Sequence, residues 1–184
     1  KPWGSGEFGL MGANYDLSYW ARLDDTTKPR HDSTGIHLHN CLWAQLVASS
    51  ALNTPTYWWV NEYVIAWGLW GAWKGATTFA ANLPFYDQGT TVATDPCAEI
   101  KAISTNSKIR LIGQKKTNCG YFWIQNSQNT WSRVVREGLS PSPMSAELTV
   151  PGFENGAYTI SWYDTYTGIL VRSESQTVTS GALK

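Results

Sequence analysis

Apolar positions along this chain keep two different rhythms. In IHLHNCLWAQLVASSAL they recur every three to four residues, at Ile36, Cys41 or Asn40, Trp43, Leu46 or Val47, and Ala51. That spacing puts one apolar stripe on a helix, with Ser33 or Thr34 placed to cap its first turn. LWGAWKGATTFAANL predicts a second helix, ended by Pro84. Between them, after Pro55, TYWWVNEYVIAW is aromatic and β-branched, as a buried strand is. Residues 1–11 read as a short strand entering a glycine-rich loop. Strand, helix, strand, helix is the order of βαβ units, with parallel strands.

Beyond about residue 90 the period changes. KIRLIGQK, GYFWIQNS, AELTVPG, AYTISWYDT, GILVRSES and QTVTSGALK are short runs separated by Gly, Pro, Asn and Ser. Their spacing, roughly 8 to 12 residues, is that of an all-β sandwich. In AYTISWYDT, Tyr158, Ile160 and Trp162 share one face, and Thr159, Ser161 and Tyr163 the other. DTYTG reads as a hairpin turn, and TWSRVVREG as a loop or helical turn with Arg133 and Arg136 in solvent. The chain thus divides into residues 1–89, α/β, and residues 90–184, all-β. Two strands and two helices cannot cover both faces of a parallel sheet. The expectation is that the missing strands come from elsewhere, in the same parent chain or in another, and that the β-rich part is cut in mid-strand at SGALK.

Charge narrows the partners. The 184 residues carry 14 Lys plus Arg against 14 Asp plus Glu, so nothing favours nucleic acid or an anionic membrane, both of which call for a basic excess. No apolar run is long enough to span a bilayer. The 11 Trp and 9 Tyr exceed what a core needs, and flat amphipathic rings are suited to stacking on sugar faces. Tyr121, Trp123, Trp131, Trp162 and Tyr163 are candidates for such a face, though packing is the more ordinary use. The three cysteines allow one bridge, Cys97 to Cys119, leaving Cys41 as a small buried apolar group. His37 and His39, two apart, point to different faces of a helix and do not have metal-ligand spacing. No cofactor is expected.

The opening KPWGSGEFGL raises a sharper point. Glu7 stands between glycines and aromatics, where a desolvated carboxylate is costly without a partner. A Gly-Glu-Phe-Gly strand end, a long helix starting near HLHNCLWAQL and a strand ending in YWW together resemble the last two βα units of a retaining (β/α)8 glycoside hydrolase, of the cellulase-like clan that includes family 5. The second half resembles the β-sandwich that follows the barrel in some bacterial members. The resemblance implies a secreted enzyme acting on a β-linked polysaccharide such as a glucan or mannan, by double displacement with two carboxylates about 5–5.5 Å apart. It gives Glu7 the nucleophile's place at the end of the seventh strand, on the face where barrel sites sit. Trp58 or Trp59, with Trp58 preferred, would floor the subsite beside the scissile bond, and His37 or His39 would line the cleft. Glu62 follows Asn61, as the clan's acid/base follows Asn. It stands downstream of Glu7 rather than upstream, however, so it reads as a loop residue that contacts substrate. The acid/base would then lie outside this chain, which alone would not hydrolyse glycosides. The other reading is a non-catalytic module, carbohydrate-binding or self-assembling outside the cell, that reuses the same architecture.

Overall fold

The computed structural model describes residues 7–8, 32–48, 56–57, 64–65, 67–81, 83, 98–99 and 102–184. Helix α1, Ile36–Ala48, is the centre of the helical part. One of its flanks buries Leu38 and Leu42 against Val64, with Trp67, Leu69, Ala72 and Trp73 around them. The other flank buries Trp43, Leu46 and Val47 against Ala76 and Phe79 of helix α2, Gly71–Ala81. The apolar face is broader than the stripe expected from the sequence: Ile36, Trp43, Leu46 and Val47 are buried as expected, Leu38 and Leu42 are buried beside them, and Asn40 and Cys41 are only half-buried. Each fully buried aliphatic side chain there contributes about 1.5–3 kcal/mol of transfer free energy.

Two strand fragments precede and follow α1. β1, Glu7–Phe8, runs parallel to β2, Thr56–Tyr57, with Glu7 beside Thr56 and Phe8 beside Tyr57. After β3, Ala98–Glu99, and β4, Ile103–Ser104, come the long strands β5, Ile109–Lys115, and β6, Gly120–Asn126. β5 and β6 form an antiparallel hairpin in continuous register from Ile109–Asn126 to Lys115–Gly120, with β3 on the far side of β5. Alternation along this sheet makes it a middle layer. Tyr121 and Trp123 of β6 join the α1–α2 core, with Ile112 packed against them. Leu111 and Phe122 face the other way, onto Val150, Phe153, Val178 and Leu183. Those residues belong to or adjoin a second small sheet, in which β7, Leu148–Pro151, lies between β4 and β10, Ala182–Leu183. β8, Gly156–Tyr163, and β9, Leu170–Val178, make a separate hairpin with a bulge at Trp162–Tyr163.

The fold class expected from the sequence, two TIM-barrel βα units followed by a sandwich, is corrected by these ladders. Among the described residues the parallel pairing is two residues deep, no barrel units emerge, and the remaining ladders are small and antiparallel. The reason lies in TYWWVNEYVIAW. The run is expected to form one buried strand, but among its described residues Thr56–Tyr57 pair as strand, Val64 and Ile65 sit in a π-type helical turn, and residues 67–70 form turns leading into α2. A short apolar run does not distinguish strand from buried helix; here Val64 is buried by packing on Leu38 and Leu42. In the second half GILVRSES and QTVTSGALK were read as two strands, whereas β9 runs through both as far as Val178. Ser132–Arg136 is a π-type turn in which Arg133 is half-buried rather than solvated. Cys119 is a free thiol, and Cys97, the partner the sequence allows it, lies outside the described residues.

Candidate functional site

The first feature is the β1–β2 ladder. Parallel pairing sends both strands out at the same edge, so Glu7-Phe8 lies level with Thr56-Tyr57. In sequence, Gly9 comes after the one strand and Trp58-Trp59 after the other. Trp58, Trp59 and Glu62 themselves lie outside the described residues.

His37 stands in the first turn of α1. Gly35, at φ +71°, turns the chain so that Asp32 comes back over the helix N-terminus. The Asp32 carboxylate accepts the N–H of Ile36 at 2.9 Å and of His37 at 2.7 Å, with Thr34 Oγ1 donating to it at 3.1 Å. Orphan N–H groups of the first turn are thereby satisfied, and a negative charge meets the positive helix end. Asp32, rather than Ser33 or Thr34, is the capping group. Cys41 Sγ lies 3.5 Å from His37 Nε2, one helical turn on. Carboxylate, imidazole and thiol follow in the order of a nucleophilic triad, but the electrostatics oppose that use. Burial pushes the Cys41 thiol up to about 12 and the His37 imidazole down to about 4, against the pull of Asp32. A thiolate–imidazolium pair is disfavoured at both ends.

Sequence reasoning overlooked the junction around His39. Its ring is only 3 % exposed and stacks on Tyr166, in the turn between β8 and β9. Trp123 meets it edge-on. Nδ1 lies 3.3 Å from Asn40 Oδ1, while Nε2 has no hydrogen-bond partner among the described residues. The nearby Thr165 carbonyl accepts the Trp43 indole N–H at 3.0 Å. Burial lowers the His39 pKa, opposed by Asn40, the Thr165 carbonyl and Asp164. Asn40 Nδ2 also donates to the Asn129 carbonyl at 2.8 Å, tying α1 to the loop after β6. The overlooked signal was the DTYTG turn, which was read as a connector and not as a docking element.

A cleft of about 730 Å³ runs between β6 and β8, which do not pair with each other. Consecutive residues of both strands line it, among them Phe122, Trp123, Tyr158, Trp162 and Tyr163, with Glu154, Asn155, Thr159 and Ser161 as polar groups. Of the five aromatics proposed for a sugar-binding face, Tyr121 and Trp123 are consumed by the core, whereas Trp162 is 38 % exposed. Its indole N–H donates to Glu174 Oε1 at 2.8 Å, and Glu174 also pairs with Arg172. Among the described residues no group of three or more His, Cys, Asp and Glu side chains is arranged to hold a metal ion. No helix among them is long and apolar enough to cross a membrane. Compared with family models, with curated proteins and with solved structures, the chain matches none.

Proposed function

We propose that this chain is part of a retaining glycoside hydrolase acting on a β-linked polysaccharide, with Glu7 as its carboxylate nucleophile. The observation that carries the reading is the register of β1 on β2, which sets Glu7 level with Thr56 and Phe8 level with Tyr57, after which the sequence continues into Trp58 and Trp59. A carboxylate on one strand, paired with a strand that the sequence continues into aromatics, is the composition a glycosidase needs: one group to attack the anomeric carbon, and flat rings to hold the sugar. The acid/base partner is a second carboxylate, supplied by another segment.

The test exploits a leaving group that needs no protonation. A 2-deoxy-2-fluoro-β-glycosyl fluoride expels fluoride unaided, so a nucleophile without its acid partner still forms the glycosyl ester, and the 2-fluorine slows its hydrolysis. Incubation with the gluco and manno reagents should add one glycosyl mass on the peptide that holds Glu7, and Glu7→Gln should abolish it. Labelling that is unchanged in Glu7→Gln, or absent with both reagents, removes the nucleophile assignment.

A second reading, carbohydrate binding without hydrolysis, is favoured by the β6–β8 cleft, where Trp162 is open and hydrogen-bonding groups stand near its rings. Retardation in gels containing β-glucan or β-mannan, lost in Trp162→Ala, is its expected signature. Equal migration with and without polysaccharide rules it out.

A further inference from the structure

We infer that the outer edge of β9 is a self-association surface, on which a second copy of this chain pairs antiparallel about Ser173. β9 hydrogen-bonds to β8 on one side, and between Leu170 and Ser175 no strand among the described residues pairs with its other side. Residues 170–173 and 175 are exposed. Leu170 and Val171, with Ile169 just before them, are apolar residues left largely in solvent, at 50 %, 68 % and 64 % exposure. An edge of this kind is a template for another strand.

What commits the edge to a copy of itself is its charge order. Arg172 and Glu174 flank Ser173 on the face that carries Trp162. In an antiparallel ladder centred on Ser173, Arg172 of each chain stands directly opposite Glu174 of the other, which gives two identical opposite-charge pairs related by a two-fold axis. Directly opposed Cβ atoms are about 4.5–5.5 Å apart. Residues two apart along one strand are separated by roughly 6.5 Å. The Arg172–Glu174 pair already formed within each chain can therefore exchange for pairs between directly opposed residues of the two chains. The same register lays the exposed Ile169–Val171 run of each copy beside Ser175–Thr177 of the other. A ladder slipped by one residue sets Arg172 and Glu174 opposite uncharged residues, and one slipped by two sets Arg172 opposite Arg172 or Glu174 opposite Glu174, so the register is specified.

Sedimentation velocity of the full chain over a concentration series tests this. The wild-type protein should approach twice the single-chain mass as concentration rises. Arg172→Glu and Glu174→Arg should each remain at single-chain mass, because each sets like charges opposite one another. Mixed in equal amounts, the two variants should recover the double mass, since all-acidic and all-basic edges now complement each other. The combined R172E/E174R chain should dimerise by itself. Circular dichroism of each variant checks that the fold is intact. A wild-type chain that stays at single-chain mass throughout, a dimer that survives in both single variants, or a mixture that recovers nothing overturns the inference.

Discussion

His39 and Tyr166 stack face to face, with ring centroids 4.1 Å apart and planes 15° from parallel. One ring belongs to the first half of the chain and the other to the tip of the β8–β9 hairpin, so this stack is where the helical and β-rich parts meet. Because His39 is buried and His37 largely so, the junction is sensitive to acid. Burial holds both imidazoles below their ordinary value, His37 at about 4. The unfolded chain takes up protons near pH 6.5, and the folded chain does so only at lower pH. Stability is therefore full above that value and falls as pH drops from about 6.5 toward 4. The loss should be on the order of 1–2 kcal/mol by about pH 5. Hydrogen bonds from Thr167 hold the Asp164 carboxyl below its usual range. Asp164 therefore keeps its contribution until pH falls below that window. Urea midpoints across this range should flatten in a His37→Gln/His39→Gln chain; a parallel decline in both proteins would exclude the histidines as the cause.

The hairpin tip also presses on α2 at a position where only glycine fits. A Cβ at Gly75 would lie 2.2 Å from the Thr165 carbonyl oxygen, and one at Gly168, which has φ +73°, would lie 2.5 Å from Thr78 Cβ. Backbone cannot yield as a flexible side chain does. Gly75→Ala should therefore destabilise by about 1–3 kcal/mol or more and weaken the hairpin's docking. Gly71, the first residue of the same helix, has nothing within 4 Å of such a Cβ, and Gly71→Ala should leave stability unchanged or slightly raised. Denaturant titration of the two variants side by side reads the contrast; a Gly75→Ala chain as stable as the wild type or more so would show that the hairpin is not seated on α2.

Asp32 is 1 % exposed and receives two backbone N–H groups of α1. Replacing it with Ala should cost about 0.5–2 kcal/mol, toward the upper end because the freed donors are buried. Asp32→Asn keeps one acceptor and should lose less. Thermal unfolding by circular dichroism orders the three proteins; equal midpoints would show that the cap is dispensable.

Thiol chemistry should distinguish two cysteines. Cys41, with its pKa pushed up to about 12 by burial and a His37 imidazole too weakly basic to help, should resist iodoacetamide until the protein is denatured. Cys119, raised by burial but drawn back by Lys116, should be alkylated first. Peptide mapping by mass spectrometry reads the order, and rapid native labelling of Cys41 would mean that α1 opens readily.

Helices α1 and α2 and the strands β5, β6, β7 and β8 were legible because each carries its own period and its own punctuation. Ile36, Trp43 and Leu46 or Val47 mark a helix face whatever surrounds them, although Leu38 and Leu42, which that stripe leaves out, are also fully buried; the alternation of Tyr121 and Trp123 with Phe122 marks a strand with two buried sides. TYWWVNEYVIAW was misread because a run that is apolar throughout carries no period, and its partner decides its form. The His39–Tyr166 junction was invisible for a related reason. Neither a lone histidine in a helix nor a tyrosine in a turn signals a contact across that separation. Glu7 stood out by its chemistry alone, as a carboxylate among glycines and aromatics, and its register with Thr56 could not be deduced from the sequence.

The hydrogen bond from Trp43 to the Thr165 carbonyl joins residues 122 positions apart. During synthesis, α1 leaves the ribosome long before the strand and turn that cover its second apolar flank. Trp43, Leu46 and Val47 wait for β6 and then for the hairpin tip, at the usual pace of several residues per second. Over that interval the first half is a partly exposed apolar helix pair, the kind of surface that holding chaperones bind. A chain stopped before residue 165 would keep that surface for good, so ribosome-bound fragments should become protease-resistant in one late step, when the tyrosine of the turn reaches its histidine.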